Sequence, residues 1–217
     1  MTKHFRHELD ELSREILVMG GLAETALGRA VRAFHGRDGK LADAVIEGDR
    51  EIDAMELRIE EEVLKILALY APTAKDLRFV VGVFKITNDL ERVGDLAVNI
   101  AERARDRKGE GERPGTAELE EMTGRVRAML RGALDAFVAE DRTRAEEVLA
   151  TDDVVDEALG GIYAREERAV NAGEAGLGAA LRFLSTAKYL ERIADHATNI
   201  AEDVIYLVSG DVVKHGN

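Results

Sequence analysis

The chain has no cysteine, no tryptophan and only two prolines in 217 residues, and aromatics make up just 5%. Without cysteine, disulfides, thiolate metal sites and cysteine nucleophiles are all excluded. Scarce proline, with abundant Ala, Leu, Val, Glu and Arg, favours long helices over sheets. No run of about 18 apolar residues occurs, so no membrane span is expected. The first residues, Met1-Thr2-Lys3-His4-Phe5-Arg6-His7-Glu8, lack the apolar stretch of a signal peptide. A cytoplasmic protein is therefore expected. The net charge of −13 repels phosphate backbones and argues against direct binding of nucleic acid. It suits cations, basic partners or simple solubility.

What is present is helical periodicity. Phe5, Leu9, Leu12, Ile16, Met19, Ala23, Ala26, Ala30 and Ala33 recur in steps of four and three. That is the seam of a long helix packed at a shallow angle. A second helix turns Leu41, Val45, Ile52, Met55, Ile59, Val63 and Ile66 inward and stops before Pro72. Thr73 is placed to cap a third helix, which buries Val80, Val83, Ile86, Leu90, Val93, Ala97 and Ile100. The charged, glycine-bearing stretch from Arg105 to Gly115 offers nothing apolar to bury and reads as a boundary. Three further helices follow. The fourth carries Leu119 to Phe137, the fifth Ala145 to Ile162, and the sixth runs from about Leu177 to Val208.

The two halves match in sequence. Leu90 to Glu102 and Leu190 to Glu202 are identical at nine of thirteen positions, at an offset of one hundred. Upstream the offset is 103. Ala33-Phe34 matches Ala136-Phe137, Asp38 matches Asp141, and Asp49 and Asp53 match Asp152 and Asp156. Internal duplication follows. The expected fold is all-α, two tandem three-helix bundles made of six long helices. The first bundle covers residues 1–105, a linker 106–115, and the second bundle 116–217.

Each repeat carries acidic residues one helical turn apart: Glu91 and Asp95, then Glu191 and Asp195. Asn99 and Asn199 continue those rows. Fold the second and third helices into an antiparallel hairpin about Pro72. Asp53 and Glu91 then each stand 19 residues from the proline, and Asp49 and Asp95 each stand 23. The pairs lie at matching levels. In the second unit, Asp156 with Glu191 and Asp152 with Asp195 are likewise centred on one turn, between Gly173 and Glu174. Four carboxylates thus reach one level of each hairpin. Like charges so placed oppose folding. Arg50, Arg92 and Arg192 could screen them. Alternatively a hard cation holds them: Mg²⁺, Mn²⁺, Ca²⁺ or iron.

Other polar residues carry less. His196 follows Asp195, but its counterpart is Leu96, so it stands outside the duplicated set and reads as an ordinary structural or solvent-facing histidine. Gly36 to Leu41 lacks the spacing of a phosphate loop and precedes no strand. A ferritin-like di-metal oxidoreductase needs Glu-x-x-His on two helices, and none of the five histidines has a Glu three residues before it. A purely structural helical adaptor is the remaining alternative.

The repeated Leu90-Glu91-Arg92-Val93-Gly94-Asp95 and Leu190-Glu191-Arg192-Ile193-Ala194-Asp195, each followed by Asn-Ile-Ala-Glu, resemble the PhoU family of phosphate-signalling proteins. Phe5 to Leu12 and Pro72 to Arg78 also resemble that family. The resemblance implies a non-enzymatic, cytoplasmic accessory protein of the phosphate ABC transporter, negatively regulating phosphate uptake and the phosphate-starvation regulon. Its implied partners are the transporter ATPase subunit, a phosphate-sensing membrane histidine kinase and a second copy in a homodimer. It further implies metal ions (iron, manganese, magnesium or zinc) on Asp49, Asp53, Glu91 and Asp95, and on Asp152, Asp156, Glu191 and Asp195. Glu102 and Glu202, like Asn99 and Asn199, are signature positions without an assigned role.

Overall fold

The computed structural model describes residues 3–106 and 116–214. Among them all regular structure is α-helical. In chain order the helices are α1 (Lys3–Gly36), α2 (Gly39–Tyr70), α3 (Ala74–Arg105), α4 (Thr116–Ala139), α5 (Arg142–Leu149), α6 (Asp152–Asn171) and α7 (Leu177–Ser209). Residues 107–115 of the expected linker lie outside the described residues.

The helices form two three-layered hairpins of like design. α1 packs on α2 and α3, and α4 packs on α7, α5 and α6. α3 and α7 lie side by side and join the two bundles. The front of the molecule therefore runs α2, α3, α7, then α5 and α6, with α1 and α4 behind. The expected seams are buried: Leu12, Ile16, Met19, Ala23 and Ala30 in α1 are at most 1% exposed. Leu41 and Met55 are only half-buried, and Ala42 takes the inward position in the first turn of α2.

Local chemistry sets the helix ends. Asp38 caps α2 by accepting from the Lys40 and Leu41 N–H groups, both at 3.0 Å. Its repeat counterpart Asp141 caps α5 in the same way, accepting from Thr143 and Arg144. The matched pair Asp38 and Asp141 is thus explained by capping. Thr73 occupies the cap position of α3 but its side chain makes no capping bond. The chain instead enters α3 through Ala74 at φ +48°.

The fifth segment is not one helix. It divides into α5 and α6 at Ala150-Thr151. There the Thr151 hydroxyl donates to the Glu147 carbonyl at 3.0 Å, and the Thr151 N–H turns to Val148. A side chain that satisfies the backbone locally competes with helix continuation. The counterpart in the first unit is Gly48, and α2 runs through it unbroken.

Candidate metal centre

α3 and α7 run antiparallel. Lys85 meets Asp203 at 2.6 Å, and Asp89 accepts from Asn199 at 3.3 Å. This register places Gly94 level with Ala194, at the centre of the pseudo-twofold. The two acidic seams flank that centre, one between α2 and α3 and the other between α6 and α7.

In the first seam Asp49 and Asp53 come from α2, and Glu91 and Asp95 from α3. The approach is close: a Cβ on Gly94 would lie 2.9 Å from Asp49 Oδ1 and 3.0 Å from Ile52 Cδ1. A side chain there would make the Asp49 carboxylate and the Ile52 tip shift. Burial, then the charges of Asp53 and Asp95, raise the Asp49 carboxyl to about 6. Burial and Asp95 raise Glu91 to about 7, against the lowering effect of Arg92. The charges of Asp53 and Asp95 act on both of these carboxyls.

The second seam holds Asp152 and Asp156 from α6 with Glu191 and Asp195 from α7. Burial, then Glu191 and Asp152, with Asp156 adding, raise Asp195 to about 6. The helix break puts Asp152 in the first turn of α6, where a carboxylate meets the positive end of the helix dipole. Ala194 stands where the first seam has Gly94.

The expected screening by arginine is partly realised. Arg92 lies 3.1 Å from Asp95 and 3.3 Å from Glu91. Lys188, not Arg192, takes this part in the second unit, 2.5 Å from Glu191. Arg50 makes no ion pair among the described residues. One further acid belongs to the first seam. Glu56 is raised by burial, Glu60, Asp53 and Asp95. The i, i+4, i+7, i+11 stripe of Asp49, Asp53, Glu56 and Glu60 was visible in the sequence but has no acidic counterpart at Leu159 and Tyr163.

Among the described residues no three carboxylate or imidazole side chains converge closely enough to ligate one ion. The donor chemistry nevertheless fits a hard cation. All eight donors are oxygen, and both seams bury one glutamate oxygen without a hydrogen bond: Glu191 Oε2, and Glu91 Oε2, which has only the Arg92 guanidinium at 3.3 Å. A buried carboxylate oxygen with no donor is costly. Among the described residues Glu191 Oε2 has no charged partner, and at both repeat positions positive charge, from Arg92 or from a bound cation, is what would satisfy the oxygen.

His196 stands apart from these seams. Its Nδ1 is 2.7 Å from Asp89 Oδ1, and the Asn199 amide reaches the same oxygen. The residue is a half-buried tie between α3 and α7, a structural role that its place in the sequence could not specify. Asn199 joins that tie, whereas Asn99 makes no side-chain hydrogen bond among the described residues.

The PhoU domain family matches this chain twice, over residues 16–104 and 119–204. The chain belongs to the PhoU family. Each PhoU domain match spans one bundle and contains one acidic seam. Among relatives, the phosphate-specific transport system accessory protein PhoU of Escherichia coli K12 is 34% identical, covering 99% of this chain and 91% of that protein. The PhoU homolog of Clostridium acetobutylicum is 35% identical over 97% of both. The crystal structure of PhoU from Pseudomonas aeruginosa matches with a TM-score of 0.91 at 38% identity, over 95% of this chain and all of that one. The phosphate transport system regulatory protein PhoU of Streptococcus pneumoniae matches at 0.88 and 28% identity, over 97% and 99%. The two-bundle, all-helical architecture expected from the duplication is that of this PhoU family.

Proposed function

We propose that this chain is a non-enzymatic accessory protein of a phosphate-specific transport system, holding metal ions in its two acidic seams and presenting the metal-bearing front to its partners. In this reading it restrains phosphate uptake and keeps the starvation regulon off. It relays phosphate status from the transporter ATPase subunit to a sensor histidine kinase. The names of its relatives support the transport role. The observation that carries the metal assignment is the all-oxygen set of four carboxylates repeated in both seams, each with one glutamate oxygen buried without a hydrogen bond.

Asp49, Asp53, Glu91 and Asp95 would hold an ion in one seam, and Asp152, Asp156, Glu191 and Asp195 in the other. The ion would supply positive charge where burial and like-charge neighbours penalise ionised carboxylates. The chain's own part is to position those oxygens on two rigid hairpins and to exclude water from one oxygen of each glutamate. A cytoplasmic location and a homodimer belong to the same proposal. No described helix is long and apolar enough to cross a membrane.

The test is a pull-down of the full chain on the transporter ATPase subunit, before and after exchange into chelator and back into Mn²⁺ or Mg²⁺. Capture that falls with chelator and returns with metal supports the reading. Capture indifferent to metal removes the metal's role in docking.

A further inference from the structure

The outer face of α2 carries a heptad of its own. α2 packs on α1 and α3 and forms one edge of the front. Turned away from both neighbours, Glu47, Arg50, Ala54, Leu57, Glu61 and Leu64 recur in unbroken steps of three and four, and all six are exposed. That period is the seam of a helix paired with another helix. Leu57 and Leu64 are 66% and 62% exposed. The repeated architecture does not require them. At the offset of 103, Ala54, Leu57 and Leu64 correspond to Glu157, Gly160 and Glu167 in α6. The apolar outer seam therefore belongs to the first unit alone.

The charges along this seam complement their own reverse. Glu47, Arg50, Glu51 and Glu61 make no ion pair or side-chain hydrogen bond among the described residues. Arg58 is held by Glu15, and Lys65 lies 2.8 Å from Glu62. Lay a second α2 antiparallel on the first, with the twofold between Met55 and Glu56. Ala54 then faces the partner's Leu57, and Leu64 faces the stem of the partner's Glu47. Arg50 meets the partner's Glu61, while Glu47 and Glu51 reach the partner's Lys65 and Arg58. Symmetry repeats each match. A parallel pairing instead sets Glu47, Arg50 and Glu61 each against its own copy. Moving the antiparallel pairing by one heptad sets Glu61 against the partner's Asp43 or Leu57. The cost is one flank of like charge, Asp53 beside the partner's Glu60, where α2 borders the acidic seam. The opposite pairs outnumber it.

We infer that α2 pairs antiparallel with α2 of a second copy of this chain, so that the two outer heptads form the core of a two-fold dimer. A twofold contact needs a surface complementary to itself, and this surface is. The order of charges, more than the apolar area, selects both the partner and the register. Leu57 and Leu64 supply the apolar surface that the pairing removes from water. The α3–α7 ridge stays uncovered for other partners. The inference rests on the homodimer of the proposed function and gives it a surface, an orientation and a register.

Sedimentation of the full chain over a range of concentrations should show a monomer–dimer equilibrium. Leu57→Ser with Leu64→Ser should weaken the dimer about 10-fold or more. Glu61→Arg, which sets Arg against Arg50 on both sides of the axis, should weaken it by a similar factor. Adding Arg50→Glu to Glu61→Arg reverses the pair and should bring the dimer back to within about 3-fold of the wild type. All four positions are exposed, so helicity should not change. The chain has no cysteine of its own, which permits a test of register. Arg50→Cys mixed with Glu61→Cys should cross-link on oxidation. Either alone should not, because its two thiols would stand ~16 Å apart along the helices. The inference is overturned if the wild type sediments as a monomer throughout or if the dimer ignores the Leu57, Leu64 and Glu61 changes. Cross-linking of either cysteine variant alone as readily as the mixture also overturns it. Metal content and ATPase capture are measured on the same samples. Intact values there, with a dimer indifferent to these changes, sink this inference and leave the proposed function standing. Intact values in a monomeric wild type remove the homodimer as well and leave the metal and transport roles.

Discussion

Glu24 and Arg127 occupy the same position of the two repeats, 103 residues apart, and they meet each other: Arg127 Nη2 donates to Glu24 Oε1 at 2.8 Å. Two identical single-unit chains related by a twofold would set like against like at this point. Duplication in one chain lets the position diverge into opposite charges. Arg131 also donates to Glu24, and the two arginines hold the Glu24 carboxyl below its ordinary range despite the raising effect of burial.

Arg127→Glu restores the like-charge arrangement and should lower stability by about 1 kcal/mol, the scale of a partly exposed pair. Glu24→Arg combined with Arg127→Glu should recover most of the loss. A double-mutant cycle by urea unfolding measures the coupling, and a coupling indistinguishable from zero removes the argument.

Phe34 and Phe137 are also repeat counterparts, and each reaches into the other bundle. The Phe34 ring centroid lies 6.0 Å from Phe183, and Phe137 stacks on Phe79 at 5.7 Å. Phe137→Ala should cost about 3–5 kcal/mol. Changing both to Ala is expected to uncouple the bundles, so that calorimetry resolves two transitions where the wild type gives one.

Gly94→Ala places a methyl 2.9 Å from Asp49 Oδ1. We expect a loss of about 1–3 kcal/mol, set by how far Ile52 and Asp49 can shift. Ala194→Gly at the counterpart should cost no more than the roughly 1 kcal/mol of a helical glycine. Equal effects of the two changes would contradict the close approach of Asp49 and Ile52 at Gly94.

Besides Glu56, three seam carboxylates have folded-state values above their ordinary ones: Asp49 and Asp195 at about 6 from 3.8, and Glu91 at about 7 from 4.5. A raised carboxyl binds its proton more tightly in the folded chain. Its favourable contribution is complete below the ordinary values and is lost as pH rises through the folded ones. Metal-free protein should therefore lose stability between about pH 4 and pH 7 relative to Asp49→Asn, Glu91→Gln, Asp195→Asn protein. Chemical unfolding of both proteins across that window checks the sign. Parallel curves would refute it. Added Mn²⁺ should restore the wild type at neutral pH.

Much of this was legible because it is periodic or repeated. The offsets of 100 and 103 exposed the two units, and distances counted from Pro72 and from the second turn placed the acids level before any coordinates. The seams therefore came from local helix geometry alone. What stayed hidden depends on contacts between residues far apart in the chain or on single local bonds. The division at Ala150-Thr151 turns on one hydroxyl bond to Glu147. The close approach at Gly94, where the second unit has Ala194, means nothing until Asp49 is packed against it. The tie from His196 to Asp89 crosses 107 residues, and no spacing rule links such a pair.

The central claim is that both seams hold metal, and elemental analysis of the full chain purified without chelator tests it most directly. Metal should accompany the wild type. It should fall when Glu91 and Asp95 are changed to Ala, and vanish when Glu191 and Asp195 are changed as well. Wild-type protein that carries no metal, and takes up none on dialysis against Mn²⁺, Mg²⁺, Zn²⁺ or Fe²⁺, would contradict it.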